Sequence, residues 1–279
     1  MEEVTALKYQ KLKRIISDFK AVVVAYSGGL DSAFLLYTCV EMLGKDAVRA
    51  VTADSESLPR SELKNARRFA ESLGIEHRHR VVKTRELENP DYSANPVDRC
   101  FFCKRELYSR LLDPAVLEKA EVVFDGFNAD DVGDFRPGRR AAEQFSIRSP
   151  LFEAGLGKAE IRALAKDFGL SIWDKPQSAC LASRIPYGSP VTAEKLGQIE
   201  QAEEFLRSLG FRQLRVRHHD GLARIELPGE DLEKAMSDQM RDKINSKFRE
   251  LGFTWVTLDL AGFRSGSMNE KLNRKDRNV

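Results

Sequence analysis

No apolar run in this 279-residue sequence approaches the roughly 18 residues that a membrane-spanning helix needs, so no membrane partner is expected. The start, Met1-Glu2-Glu3, is acidic and lacks the basic-then-apolar order of a secretory leader. A cytoplasmic protein is the expectation. An excess of one charge is also missing: 45 basic side chains face 43 acidic ones, for a net charge of +2. A dedicated nucleic-acid binder usually carries a strongly basic domain, so nucleic acid is not an expected partner, although a local anion site stays open. Cysteines number only four, and without a leader they read as thiols or metal ligands rather than as a disulfide framework. No Gly-Lys-Ser/Thr follows a glycine-rich loop, which disfavours the P-loop NTPase fold. There is no internal repeat.

What is present is a globular balance, with 42% apolar and 32% charged residues, in a chain long enough for one large domain or two modest ones. Leu12, Ile15, Ile16 and Phe19 recur at helical spacing, and Ala21–Tyr26 is a continuous run suited to a strand buried on both faces. Ser32–Leu43 is apolar nearly all round, as a helix against a parallel sheet would be. Val48–Ala53 reads as a strand, Leu63–Leu73 as a helix that Gly74 could end, and Ile75–Val82 and Glu121–Asp125 as further strands. This alternation predicts an α/β fold with a doubly wound, mostly parallel sheet. Proline-bearing segments at 83–98 and 174–190 interrupt it. Beyond them the pattern restarts as a smaller α+β domain: a helix over 193–208, strands at Arg212–Arg217 and Leu222–Leu227, a helical stretch to about Leu251, and a strand at Phe253–Leu258. The expected division is 1–189, 190–266 and a poorly ordered tail at 267–279.

Ser27-Gly28-Gly29-Leu30-Asp31-Ser32 falls between the first strand and its helix, where open α/β sheets bind ligands. Gly28 and Gly29 lack Cβ atoms, so their N–H groups can approach phosphate oxygens, and the helix that follows adds unpaired N–H groups and the positive end of its dipole. Ser27 and Ser32 supply hydroxyls. Asp31 cannot favourably face a phosphate, which leaves a bridging Mg²⁺ or a structural hydrogen bond as its role. A bare Gly-Gly turn with capping side chains is the plain alternative.

In this position SGGLDS resembles the PP-loop ATP pyrophosphatases, which include GMP synthetases, NAD synthetases and tRNA thiolases. The resemblance implies cleavage of ATP between its α and β phosphates, transfer of AMP to a substrate oxygen, and release of pyrophosphate. Three further stretches narrow it: Arg99-Cys100-Phe101-Phe102-Cys103-Lys104, Asp125-Gly126-Phe127-Asn128-Ala129-Asp130-Asp131 continuing to Gly138, and Ser178-Ala179-Cys180-Leu181-Ala182-Ser183-Arg184-Ile185-Pro186-Tyr187-Gly188. Together with SGGLDS, and with the C-terminal Leu258–Leu260 and Arg264–Met268 region, they look like the LarE family of ATP-dependent sacrificial sulfur transferases. That resemblance implies a pyridinium dicarboxylate mononucleotide as substrate, in the making of the nickel-pincer nucleotide used by lactate racemase. A ring carboxylate would be adenylylated, captured by a cysteine as a thioester, and released as a thiocarboxylate that leaves dehydroalanine in the protein. ATP and Mg²⁺ are the implied cofactors, and a homo-oligomer is expected.

Cys180 is the candidate donor, in a loop flanked by prolines with Arg184 four residues on to favour the thiolate or hold a substrate carboxylate. The plain alternative is a small buried hydrophobe. Family members with several cysteines at this loop hold an iron–sulfur cluster; here Cys180 is alone in it, though remote cysteines could converge on it. Cys100 and Cys103 have the spacing of half a zinc site or of a redox pair, and equally of structural packing. Cys39 lies among Leu35, Leu36 and Leu43 and is expected in the core. Asp130, with Asp131 and Asp134, could hold Mg²⁺ or cap the next helix; Gly126 would let backbone approach the nucleotide; Asp54 would reach ribose or adenine. Arg215 and Arg217 share a strand face and could clamp a phosphate, or form a charged outer face. A tRNA thiolase, an amide-forming synthetase and a non-catalytic nucleotide sensor are the other readings.

Overall fold

The computed structural model describes residues 3–133, 137–176 and 179–264. Asp134, Ser178, Ser265–Met268 and the tail at 267–279 lie outside the described residues. In chain order the elements are α1 (Glu3–Ser17), β1 (Val22–Ala25), α2 (Leu30–Leu43), β2 (Val48–Asp54), α3 (Arg60–Ser72), β3 (His79–Lys83), α4 (Pro90–Ser93), α5 (Arg99–Leu111), α6 (Pro114–Leu117) and β4 (Val122–Phe124). They continue with α7 (Gly138–Gln144), α8 (Pro150–Ala154), α9 (Lys158–Asp167), α10 (Ala193–Ser208), β5 (Arg215–His219), β6 (Leu222–Glu226), α11 (Gly229–Met236), α12 (Asp238–Glu250) and β7 (Trp255–Leu258). Among the described residues, no helix is long and apolar enough to cross a membrane.

Two compact units divide these elements: residues 3–86 with 98–176, and residues 87–97 with 179–264. The first carries a parallel sheet in the order β3-β2-β1-β4, with Val22 opposite Val48 on one side and Val122 on the other. The unbroken Val22-Val23-Val24-Ala25 run suits β1 because both its faces are covered. Val22, Val24 and Tyr26 enter one core cluster with α1, α2, α3 and α9, while Val23 and Ala25 enter another with α5 and α7. That split follows from the two-residue period of a strand. α3 buries only the stripe Leu63, Ala66, Phe69 and Ala70. It ends where Gly74 takes φ +66°, its N–H bonded to the Glu71 carbonyl and that of Ile75 to the Ala70 carbonyl.

The second unit holds a mixed sheet in the order β5-β6-β7, antiparallel then parallel, over a core that includes Leu206, Phe211, Val216, Ile225 and Phe248. The helical stretch expected to run to Leu251 is two helices, parted at Ser237. Sequence patterning put the first boundary at 189/190, whereas the units divide before Ala179. Local ties account for the difference. Buried Asn95 donates to the carbonyls of Pro186 and Ser189, both at 2.8 Å, and Val191 donates to Ser93 at 2.8 Å. The Cys180 loop and the 87–97 segment are thereby fastened together.

Candidate active site

β1 delivers the chain to the phosphate loop. Tyr26 prolongs the strand by donating its N–H to Val51 at 2.8 Å, and its carbonyl accepts from Thr52 Oγ1 at 2.7 Å. Beyond it the chain folds back on itself. Ser32 Oγ accepts from the Ser27 N–H at 3.2 Å, donates to the Gly29 carbonyl at 3.2 Å and meets Ser27 Oγ at 3.0 Å. With its proton on Gly29, Ser32 receives the hydroxyl proton of Ser27. Gly28 has φ +79°, a conformation other residues rarely adopt, and a β-carbon there would stand 3.2 Å from that of Ala66. Gly29 is the N-cap of α2 and makes no side-chain cap, so the first N–H groups of that helix are left for an anion.

The neighbouring strand end shapes the other wall. A β-carbon on Gly126 would lie 2.8 Å from Ser32 N and 3.0 Å from Ser32 Cα. The glycine therefore lets the end of β4 pack on the first turn of α2. Because β1 lies between β2 and β4, loop and glycine sit at the carboxyl ends of adjacent strands, where strand order reverses. Asp31 accepts from Asn128 Nδ2 at 3.1 Å, and Asn128 is fully buried, its own N–H held by Asp131 at 3.2 Å. The structural bond foreseen for Asp31 is thus present.

Three other carboxylates have partners of their own. Asp130 accepts the Lys158 N–H at 2.7 Å and abuts Gly157, so it caps α9, while Asp131 pairs with Lys158 Nζ at 3.0 Å. Asp54, at the end of β2, pairs with Arg60, whose guanidinium also reaches the Ser55 and Leu58 carbonyls. Among the described residues no group of three or more His, Cys, Asp or Glu side chains is gathered to hold a metal. Asp31 is the carboxylate nearest the phosphate loop in sequence. A Mg²⁺ carried in on a triphosphate needs only one or two protein oxygens, so this donor set fits the ion as part of a nucleotide complex.

One first-unit residue escaped the sequence reading. Lys175 Nζ lies 2.8 Å from the Gly28 carbonyl and 2.6 Å from Glu62 Oε2. Its only signal was its place in the proline-bearing stretch before Cys180. In the same unit Cys100 is exposed and Cys103 half-buried, both in the first turns of α5. The Cys103 thiol contacts Glu86 at 3.5 Å, and burial pushes the Glu86 carboxyl up from its ordinary range. Cys39 is wholly buried, as expected, and burial pushes its thiol up too.

In the second unit Cys180 is exposed and opens a short 3₁₀ turn, Leu181–Arg184. Arg184 braces that turn from within, donating to the carbonyls of Ala179 at 2.7 Å and Cys180 at 3.1 Å and, bidentately, to Glu203 at 2.8 and 3.1 Å. Burial works against the charge on Arg184, but Glu203 outweighs it and holds the guanidinium above its ordinary range; Glu203 is held low in return. Arg217 does the same from β5, donating bidentately to Glu226 at 2.9 Å and to the Ser183 carbonyl at 2.8 Å. Arg215 shares that strand face but sits 4.7 Å over the Phe263 ring and makes a long contact to the Arg264 carbonyl at 3.5 Å. Burial, then the charges of Arg217 and Arg184, pull its pKa down to about 10. Arg207 also pairs with Glu203, and Arg224 with Glu226 and Asp259, so five guanidiniums face three carboxylates here, an excess of positive charge that an anion would relieve.

The sequence therefore gathers its residues in two groups, one per unit: the loop, Asp31 and Gly126 in the first, Cys180 and the three arginines in the second. A profile of the NAD synthase family matches residues 4–89. An NH(3)-dependent NAD(+) synthetase of Thermotoga maritima is 42% identical over 65 residues, 23% of each chain. An uncharacterized protein of Synechocystis is 42% identical over 96% of this chain and 98% of its own. The pyridinium-3,5-bisthiocarboxylic acid mononucleotide synthase of Lactiplantibacillus plantarum is 40% identical over 271 residues, 96% of both chains. A match of that identity over nearly the whole of both chains shows that this chain belongs to the LarE family of PP-loop ATP pyrophosphatases.

Proposed function

We propose that this ATP-dependent enzyme converts carboxylates of a pyridinium dicarboxylate mononucleotide into thiocarboxylates for a nickel-pincer cofactor, with Cys180 as the sulfur donor. The observation that carries the reading is the uncapped start of α2 behind the Ser27–Ser32 loop, in a chain 40% identical along 96% of its length to a synthase of that product class. The loop N–H groups and the serine hydroxyls take the phosphates of ATP, and Asp31 is the residue that would hold a Mg²⁺, which would neutralise phosphate charge. A substrate carboxylate oxygen attacks the α-phosphorus and pyrophosphate leaves. The acyl adenylate then has AMP as a good leaving group. Cys180 attacks as thiolate, AMP departs and a thioester forms. Loss of the Cys180 Cα proton and cleavage of its Cβ–S bond release the thiocarboxylate and leave dehydroalanine. No oxidant is needed, because the second step is an elimination.

Arg215 is the arginine proposed to take the substrate phosphate, since Arg184 and Arg217 already hold carboxylates. Both of those arginines act by fixing the turn that presents the thiol. The amide-forming alternative is less well supported: the match to NAD synthases ends at residue 89 and so covers the phosphate loop but not Cys180. Intact-protein mass spectrometry after one turnover tests the reading. The expected protein is lighter by the mass of H₂S, and the Cys180→Ala variant releases pyrophosphate without forming thiocarboxylate. A product formed at unchanged protein mass would transfer the donor role away from the chain itself.

A further inference from the structure

We infer that Lys175 is a positioning residue for the phosphate loop, fixing the Gly28–Gly29 peptide so that the Gly29 N–H faces the incoming pyrophosphate group. The inference rests on the proposed ATP chemistry. Lys175 Nζ donates to the Gly28 carbonyl at 2.8 Å while pairing with Glu62 at 2.6 Å, and both side chains are about five-sixths buried, at 15% and 16% exposure.

A trans peptide points its C=O and the following N–H to opposite sides. Holding the Gly28 oxygen on the ammonium therefore sends the Gly29 N–H the other way, toward Ser27 Oγ. That contact is long, 3.4 Å, and is the kind a phosphate oxygen replaces at little cost. Gly28 needs such an anchor. At φ +79°, with no side chain, its peptide has few restraints beyond the backing of Glu62 and Ala66 on α3. The ammonium also sets a positive charge directly behind the loop. Glu62 offsets that charge when no phosphate is bound.

The two partners therefore have opposite signs in anion binding. Calorimetric titration with magnesium pyrophosphate, and in parallel with adenosine, reads this directly in the full chain. Lys175→Gln is expected to weaken pyrophosphate binding roughly 10- to 100-fold, the scale of a lost charge-assisted hydrogen bond, and to leave adenosine binding unchanged. Lys175→Arg is expected to keep most of the affinity. Glu62→Gln still accepts the lysine's hydrogen bond but removes the negative charge, and is expected to tighten pyrophosphate binding. A purely structural ion pair would weaken binding in both Lys175→Gln and Glu62→Gln, and that result overturns the inference, as does a Lys175→Gln chain that binds pyrophosphate like the wild type. Near-ultraviolet circular dichroism on each variant separates misfolding from loss of the anchor. A wild-type chain that binds neither ATP nor pyrophosphate would instead overturn the functional reading, and this inference with it.

Discussion

Gly126 stands so close to Ser32 that a β-carbon on the glycine would fall 2.8 Å from the serine's backbone nitrogen. The atoms in the way are backbone N and Cα together with Cβ, none of which can swing aside like the end of a long side chain. Gly126→Ala must therefore push β4 off the first turn of α2 or pull Ser32 out of its bonds to Ser27 and Gly29. A cost of about 1–3 kcal/mol in stability is expected from such overpacking, together with a raised KM for ATP. Urea denaturation and pyrophosphate release measure the two parts. An alanine variant with wild-type stability and KM would mean that the two strand ends do not press on each other.

The Arg184–Glu203 pair makes a second, sharper case. Glu203 is wholly buried and also accepts from Val216 N at 3.2 Å and Arg207 at 2.9 Å. Arg184→Met strands that carboxylate beside a single, half-exposed arginine, and is expected to cost about 3–5 kcal/mol. In the double variant Arg184→Met/Glu203→Gln the buried charge is gone while an acceptor remains for Val216, so most of the loss should return. If the double variant is as unstable as the single one, the loss came from the bonds to the Cys180 loop rather than from the bare charge.

How much of this was legible beforehand depends on the distance over which each feature is decided. β1 was visible because a short run of β-branched residues bounded by Ser27-Gly28-Gly29 suits a strand covered on both sides, and Gly74 because a positive φ is a local demand. The phosphate loop was visible for the same reason: its bonds run between residues two to five apart. Lys175 was not, since it reaches back 147 residues to Gly28. Nothing in the local sequence marks the carboxylates Glu203 and Glu226 as buried. Arg217 lies opposite Arg224 in the β5–β6 register but pairs with Glu226, the residue opposite Arg215. Only the folded sheet reveals that diagonal. The break at Ser237 was missed because helical periodicity continues on both sides of it.

His218 gives the protein an acid-sensitive element. It is 3% exposed, packed at a tilt against Phe253, and meets Gln198 Oε1 through Nε2 at 2.9 Å, while its Nδ1 is buried with no acceptor among the described residues. Burial first, and then the nearby Lys195 charge, lower its pKa from 6.5 to about 4, with Asp220 opposing them. The folded form therefore binds fewer protons than the unfolded form between these values. Its contribution to stability is complete above pH 6.5 and is lost as the pH falls toward 4. A loss of about 2–3 kcal/mol across that window is expected from a shift of this size. His218→Asn should flatten the acid limb of a denaturation profile taken between these limits. A variant whose stability falls as steeply as the wild type would place the acid sensitivity in other groups, of which His79, also lowered to about 4, is the first to try.

Arg215 should behave unlike either of its neighbours. Its guanidinium is pulled down to about 10 by burial and by two other arginines, so the fold holds it at a cost. Removing it relieves that cost, and Arg215→Gln is expected to leave stability unchanged or slightly raised, where Arg184→Met lowers it. The same change should raise KM for the mononucleotide roughly tenfold or more, the scale of one charge-assisted contact, and should spare KM for ATP, whose phosphates are proposed to bind the Ser27–Ser32 loop. Raising the salt concentration should weaken substrate binding in the wild type and have less effect in the variant, because the screened charge is the one removed. Steady-state kinetics with each substrate varied in turn, at two ionic strengths, distinguishes this from a structural role. A variant that loses stability and both KM values together would show that Arg215 supports the sheet instead of binding the phosphate.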